Sequence, residues 1–184
     1  MLKINFSSKT IQDISTTKTE CLVIPIFEDL KVGKLALKID SADFNFLKSF
    51  LSLGDFNGKI GDYSVIPGQS SSVYKRLLLV GAGKKGAQDN QEVEKICIAI
   101  GLGLKKTAAK DALIIWPDLL ISAKNLLGSL EILSANIMRL NYTYTETLSR
   151  PKNKQKLKRV VVLASHKRSV GSQHKSLRMG QSIG

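Results

Sequence analysis

The residues that most resemble a chemical site form a glycine-rich turn, GAGKKG, at residues 81–86. The turn matches the G-x-G-x-x-G pattern of dinucleotide-binding turns, where the pyrophosphate rests on a helix that begins inside the glycines. Here the helix-capping signal comes later, at Asp89 with Glu92, and Lys84 and Lys85 place charge where that helix would begin. The pattern therefore favours a glycine-rich exit from a strand. Nucleotide binding at the Gly81–Gly86 turn is the alternative.

Two pairs of acidic residues could supply a general acid and a general base. Glu28 and Asp29 directly follow an apolar run, whereas Asp40 and Asp43 stand at the start of an amphipathic segment. Acidic side chains are common in turns and at helix N-termini, where they accept hydrogen bonds from the backbone. We therefore expect a turn at the first pair and a helix cap at the second, rather than a catalytic dyad.

Metal ligands are sparse in this sequence. The only histidines, His166 and His174, lie in a polar segment that has no acidic residue between positions 150 and 184. Cys21 and Cys97 lie within apolar runs, which is typical of buried thiols rather than of a disulfide or a zinc site. We therefore predict no catalytic residue, cofactor site or metal site in this chain.

The most strongly charged feature is a basic connector, RPKNKQKLKR, at residues 150–159. The formal net charge is +13, and residues 150–184 contribute ten Lys and Arg residues to it and no acid. Such a stretch attracts acidic partners of any kind. One interpretation is a solvated surface loop, and the other is contact with the phosphates of DNA. The side chains predicted for that contact are Lys152, Lys154, Lys156, Lys158 and Arg159.

Composition and segment lengths point to an ordinary globular protein. Hydrophobic residues make up 43% and charged residues 23% of the chain. No apolar run approaches the ~20 residues that a membrane helix needs, and the first residues lack the apolar core of a secretory signal. We therefore expect a cytoplasmic protein that makes no membrane contact.

Short apolar runs predict the strands that must position these residues. Residues 2–6 alternate between polar and apolar side chains and predict an edge strand. Inner strands, covered on both faces, are expected over residues 21–27, 76–80, 112–116 and 160–164. Residues 63–67 and 76–80 flank a polar stretch and predict a hairpin. Pro25 predicts a bulge or strand end, because proline donates no ladder hydrogen bond.

Three amphipathic segments predict helices. The first is expected from residue 40 to about residue 53, ended by Gly54. The second follows the Asp89–Glu92 capping signal to residue 106, and the third and longest spans residues 123–140.

The fold class that follows is a three-layer α/β/α domain with a mixed sheet of five or six strands. It is predicted to span residues 1–164. Residues 165–184 have only weak helical spacing and are predicted to be a basic interdomain linker or the start of a linker helix. We expect this linker to be mobile.

Four segments together resemble the N-terminal domain of leucyl aminopeptidases, the cytosol aminopeptidase family. The best match is FNGKIGDYSVIP at residues 56–67, followed by KRLLLVGAGKK at residues 75–85. The likeness continues through the helix at residues 92–106 and through LEILSANIMRLNYTYTETLS at residues 130–149. It ends at LRMGQSIG, residues 177–184, which is similar to the start of the family's interdomain helix.

The resemblance implies a macro-domain-like fold and a non-catalytic role in the assembly of a homo-hexameric peptidase and in access to its active site. The family's C-terminal catalytic domain binds two divalent metal ions, zinc or manganese, and its N-T-D-A-E-G-R-L signature does not occur in this chain. No catalytic residue can therefore be assigned by the resemblance, and the chain alone is predicted to be inactive. Some family members also bind DNA.

Two functional hypotheses follow. The first is the non-catalytic N-terminal domain of a metal-dependent leucyl aminopeptidase, whose partner is the catalytic domain of the same polypeptide. The second is a free-standing module that binds nucleic acid through the basic connector or a nucleotide at the Gly81–Gly86 turn.

Overall fold

The structure is a computed structural model. It describes residues 4–10, 18–34, 36–38, 41–69, 73–86, 88–119, 125–141, 157–164 and 169–183. The predictions for Asp40, His166, Lys152, Lys154 and Lys156, and for the side chain of Asp43, lie outside what it describes.

Six strands form one mixed sheet in the order β1-β6-β5-β2-β4-β3. The strands are β1 (Asn5–Thr10), β2 (Cys21–Phe27), β3 (Tyr63–Pro67), β4 (Arg76–Gly83), β5 (Asp111–Ile114) and β6 (Arg159–Ala164). All neighbouring pairs are parallel except the β3–β4 hairpin, in which Tyr63 pairs with Val80 and Pro67 with Arg76. The predicted mixed sheet and its hairpin are confirmed.

Four α-helices connect or follow these strands in the described ranges. They are α1 (Ser41–Ser52), α2 (Asn90–Lys106), α3 (Leu126–Asn141) and α4 (Val170–Ile183). Short 3-10 helices cover Ala36–Lys38 and Trp116–Leu119. No helix in the described part of the chain is long and apolar enough to cross a membrane.

Each inner strand contributes alternate side chains to two separate cores. In β2, for example, Cys21 and Val23 face the α2, α3 and α4 side, whereas Leu22 and Ile24 face the α1 side. All seven side chains of β2 are buried, as expected of a strand covered on both faces. The three-layer prediction is confirmed.

Pro25 is tolerated because of its position in β2. The Val23 carbonyl accepts a hydrogen bond from Ile115 N at 3.1 Å, so Pro25, two residues later, would point its nitrogen to the same side. The strand pairing with β5 ends at Val23, so the missing N–H leaves no ladder bond unmade. Pro25 itself pairs in register with Val80 of β4. The register shifts only between Ile26 and Phe27, where Ala82 is the extra residue of β4, so this irregularity follows Pro25 rather than lying at it.

Several predicted boundaries were wrong. The edge strand runs over Asn5–Thr10 rather than residues 2–6, and β4 continues through the first two glycines of the turn to Gly83. β5 ends at Ile114, and Trp116 begins a 3-10 helix, where its side chain is fully buried. Leu127 lies within the amphipathic segment predicted over residues 123–140 but is 40% exposed.

The expectation that residues after Ser165 are mobile does not fit the packing of α4. This helix contacts α3 and β1, and Leu177 is completely buried in the same core as α2 and α3. Ser8 of β1 donates a 2.9 Å hydrogen bond to Gln173 of α4. The division of the chain at residue 165 into a domain and a linker stays a prediction.

Candidate functional site

The sequence-predicted sites lie at opposite ends of the sheet. The glycine turn at residues 81–86 begins within the end of β4 and therefore lies at the edge where the parallel strands end. Lys158 and Arg159 precede or begin β6, so they lie at the edge where the parallel strands start. We call these the carboxyl edge and the amino edge. The structure does not bring the two predicted sites together.

At the carboxyl edge, the backbone of the glycine turn is already bonded within the protein. Gly81 N donates to the Asp62 carbonyl at 2.8 Å, and Gly83 N donates to the Gly58 carbonyl at 2.9 Å. The Gly83 carbonyl accepts a 2.9 Å bond from Glu28 N. These amides are therefore not free to cradle a phosphate.

The glycines themselves are explained by a close backbone crossing. A Cβ on Gly81 would overlap the Lys59 carbonyl oxygen, and Gly83 has a φ of +73°, in the region that favours glycine. The segment between α1 and β3 thus crosses directly over β4. A Cβ on Gly86 would have no atom within 4 Å, so this third glycine serves no such contact.

The helix that follows is closed at its N-terminus by acidic side chains. The Asp89 carboxylate accepts from Glu92 N at 2.8 Å, and the Glu92 carboxylate accepts from Asp89 N at 3.0 Å. This reciprocal capping box places negative charge where a dinucleotide would place its pyrophosphate. The geometry therefore supports the structural interpretation of the glycine turn over nucleotide binding.

At the amino edge, two carboxylates that the sequence analysis missed tie the strands together. Asp111 Oδ1 accepts from Thr19 Oγ1 at 2.7 Å and from Glu20 N at 3.0 Å. Its Oδ2 lies 3.4 Å from the Arg159 guanidinium. The only signal in the sequence was an acidic residue directly before each of two apolar strands.

Glu20 makes the second set of bonds at this edge. Its carboxylate accepts from Lys75 Nζ at 2.8 Å and from Lys110 N at 2.7 Å. Together, Glu20 and Asp111 link the starts of β2, β4, β5 and β6. Arg159 therefore belongs to a structural ion pair. Lys158 is exposed, and its bonds to other described residues are backbone bonds, to Lys110 and to Asn5.

The Glu20 contacts predict how stability depends on pH. The hydrogen bond from Lys75, followed by that from the Lys110 backbone, lowers the pKa of Glu20 below its ordinary value of 4.5. The ionised carboxylate then stabilises the folded state above pH 4.5, and this contribution disappears as the pH falls through the lowered pKa. Relative to Glu20→Gln, the wild-type protein should be more stable by about 1 kcal/mol at pH 7.

Urea unfolding of the two proteins between pH 7 and pH 3 measures this difference. We expect the gap in the free energy of unfolding to close at the acid end. A gap that stays constant over the whole range would show that the Glu20 charge does not contribute.

Both cysteines are unreactive thiols in the folded protein. Cys21 and Cys97 are free and buried, as predicted from their apolar runs. Burial raises the pKa of the Cys21 thiol to about 12 and also raises the pKa of Cys97. Since the thiolate is the reactive form, neither thiol should react with Ellman's reagent at pH 8 in native protein, and both should react in guanidinium chloride. Rapid modification of the native protein would contradict their burial.

Asp29 forms the expected turn, because its Oδ1 accepts from Lys31 N at 3.1 Å and its Oδ2 pairs with Lys31 Nζ at 3.2 Å. Within the described ranges, no group of three or more His, Cys, Asp and Glu residues is placed to hold a metal ion.

Comparison with known proteins identifies the family. The model of the cytosol aminopeptidase family, N-terminal domain, matches residues 23–151. The chain belongs to the cytosol aminopeptidase family. A probable cytosol aminopeptidase of Azotobacter vinelandii is 30% identical over 148 residues. That match covers 80% of this chain and 30% of the relative, so the chain spans about a third of the length of its curated relatives.

Solved structures show the same fold for this aminopeptidase-family chain. A tomato leucine aminopeptidase mutant superposes with a TM-score of 0.66 at 15% identity, covering 97% of this chain and 36% of that one. The macro domain of ganglioside induced differentiation associated protein 2 gives 0.68 at 14% identity, covering 99% and 86% of the two chains. The predicted macro-domain-like α/β fold is confirmed.

Proposed function

We propose that this chain is the non-catalytic N-terminal domain of a metal-dependent leucyl aminopeptidase, an enzyme that removes N-terminal residues from peptides. The observation that supports this most directly is the match of residues 23–151 to the family's N-terminal domain. The likeness of nearly the whole chain to just over a third of a leucine aminopeptidase structure is consistent with it.

In this proposal the chemistry lies in a catalytic domain of the same polypeptide. Peptide hydrolysis of this kind uses metal ions to polarise the carbonyl and to activate a water molecule. The described residues of this chain do not fit such a site, since they present no cluster of metal ligands. We therefore place the two zinc or manganese ions in the catalytic domain, and we derive no catalytic step from this chain.

The role left to the N-terminal domain is assembly and access to the active site, within a cytoplasmic homo-hexamer. A domain with one buried core on each face of its sheet and with α2 capped at its N-terminus is suited to such a role, because it can hold its shape as a rigid block. Its surface, rather than its interior, would then make the contacts that matter.

A chimaera tests the proposal. Residues 1–184 would replace the N-terminal domain of the Azotobacter vinelandii relative, and hydrolysis of leucine-p-nitroanilide would be followed with added manganese or zinc. We expect activity and a hexameric mass by light scattering for the chimaera, and no hydrolysis by residues 1–184 alone. Turnover by the isolated chain after repeated purification, or a chimaera that assembles no differently from the catalytic domain alone, would overturn it.

Nucleic-acid binding through the basic connector is the second candidate. Lys158 and its neighbour Lys110 are exposed, and neither has a carboxylate within ion-pair distance among the described residues. Binding of labelled duplex DNA over a salt series tests it, because each phosphate contact changes the log–log salt slope by about one unit. The test variant replaces Lys152, Lys154, Lys156 and Lys158 by alanine. An unchanged slope would mean that the connector is only a solvated surface.

A further inference from the structure

Two adjoining depressions run along the amino edge of the sheet. One has a volume of about 430 Å³, and the two share Lys18, Thr19 and Asp111 in their walls. We call them together the amino-edge groove. Its charged lining residues are Lys9, Lys18, Lys75, Arg159, Glu20 and Asp111.

The two carboxylates of the groove are already neutralised by donors inside the protein. Glu20 accepts from Lys75 and from the Lys110 backbone, and Asp111 accepts from Thr19, from the Glu20 backbone and from Arg159. Both acids are partly buried, with side-chain exposures of 21% and 22%. They therefore anchor the groove rather than attract a cation to it.

Two lysine side chains of the groove, unlike its carboxylates, have no partner among the described residues. Lys9 and Lys18 are exposed, and the side chain of neither forms an ion pair or hydrogen bond with another described residue. Lys110 and Lys158 lie at the amino edge and are also exposed, whereas Lys9 lies near the end of β1, opposite Leu163, and lines the depression that Arg159 also lines. Within the described part of the chain, the side chains of these four lysines have no carboxylate within ion-pair distance, whereas the two carboxylates of the groove are already paired. The groove and its surroundings therefore present positive potential outward.

The order of the lining residues across the sheet favours an extended occupant. It runs from Arg159 at the start of β6, past β5 and β2, to Lys75 before β4. Three strand spacings amount to about 14 Å, which is the length of about four extended residues.

The lining also distinguishes between polyanions. Single-stranded nucleic acid is held by exposed aromatic side chains on which bases stack. The aromatic side chain in these walls, Tyr74, is only 4% exposed, while Val73 beside it is half-buried. A peptide needs no stacking platform, and its aliphatic atoms can contact Val73.

We propose that the amino-edge groove binds an extended acidic segment of another polypeptide, whose carboxylates pair with Lys9 and Lys18. The inference goes beyond the proposed aminopeptidase function and does not depend on it. It assigns to this edge a protein-docking role that is separate from the phosphate contacts considered for the basic connector.

Fluorescence anisotropy with labelled hexaglutamate tests the proposal. We expect saturable binding at low salt, little binding of a hexaglutamine probe, and a loss of about tenfold or more in affinity for the double variant Lys9→Glu with Lys18→Glu. The matched control is Lys84→Glu with Lys85→Glu, which makes the same charge change at the carboxyl edge and should stay within about twofold. Circular dichroism checks that each variant is folded. If the double variant does not fold, Lys18→Gln is measured in its place.

Three outcomes would overturn the proposal. The first is no saturable hexaglutamate binding by the wild-type chain. The second is an equal loss in the groove variant and the control, which would show that only net charge matters. The third is binding of a labelled DNA duplex, with loss in the groove variant, under conditions where hexaglutamate does not bind.

Discussion

Gly81→Ala is expected to destabilise the protein by about 3 kcal/mol or more. The added methyl carbon would overlap the Lys59 carbonyl oxygen and would stand 2.6 Å from the Lys59 carbonyl carbon. Both are backbone atoms, so no side chain can rotate to relieve the clash. The crossing segment would have to move, which breaks the bonds from Gly81 N to Asp62 and from Gly83 N to Gly58.

Thermal unfolding measures the effect, since a loss of this size lowers Tm by about 10 °C in a chain of this length. Gly86→Ala is the control, because it lies in the same turn and its added methyl carbon would have no atom within 4 Å. It should change stability by less than about 0.5 kcal/mol. Equal melting temperatures for the two variants would contradict the structural explanation of the glycine turn and would favour a bound ligand there.

Gly180→Ala is expected to detach α4 from the domain. A Cβ at this position would overlap the Glu131 carbonyl oxygen and Ser134 Oγ, and it would lie 2.8 Å from the Glu131 carbonyl carbon, all on α3. The serine hydroxyl can rotate, but the carbonyl cannot, so the two helices must separate. Alanine favours a helix over glycine by about 1 kcal/mol, and we expect the clash to outweigh this gain by about 2 kcal/mol.

Hydrogen–deuterium exchange locates this effect within the structure. In the wild-type protein, amides of α4 should exchange nearly as slowly as those of α3, because Leu177 anchors the helix in the core. In Gly180→Ala, α4 should lose protection before α2 does. Gly171→Ala changes another glycine of α4, where a Cβ would have no atom within 4 Å. In this variant the amides of α4 should stay as well protected from exchange as in the wild-type protein. Fast exchange of α4 in the wild-type protein would restore the mobile tail expected from the sequence.

The sequence predicted those features that depend on neighbouring residues. The apolar runs of β2, β4 and β6 reveal strands because consecutive side chains point to opposite faces, and both faces are buried here. The capping box of α2 is a relation between Asp89 and Glu92, three residues apart, and the structure contains both of its hydrogen bonds. The β3–β4 hairpin was also predictable, since its strands are close in the chain.

The amino-edge network could not be predicted in this way. Glu20 reaches the Lys110 backbone across 90 residues of sequence, and Asp111 reaches Arg159 across 48. Nothing in the local pattern around either acid differs from that of a solvated carboxylate. The burial of Leu157 could not be predicted from its neighbours either, because it lies in the basic connector but is only 2% exposed.

Sequence alone determined the types of most elements and the resemblance to the family, and it favoured a strand exit at the glycine turn, because periodicity, capping and motif spacing act over a few residues. Tertiary structure alone decided that β1 joins β6 at the far edge of the sheet, that Gly81 and Gly180 permit close backbone contacts, and that α4 belongs to the packed core. These are consequences of which segments meet in space. These contacts depend on the packing of segments that are far apart in the sequence, so a local pattern of side chains does not predict them.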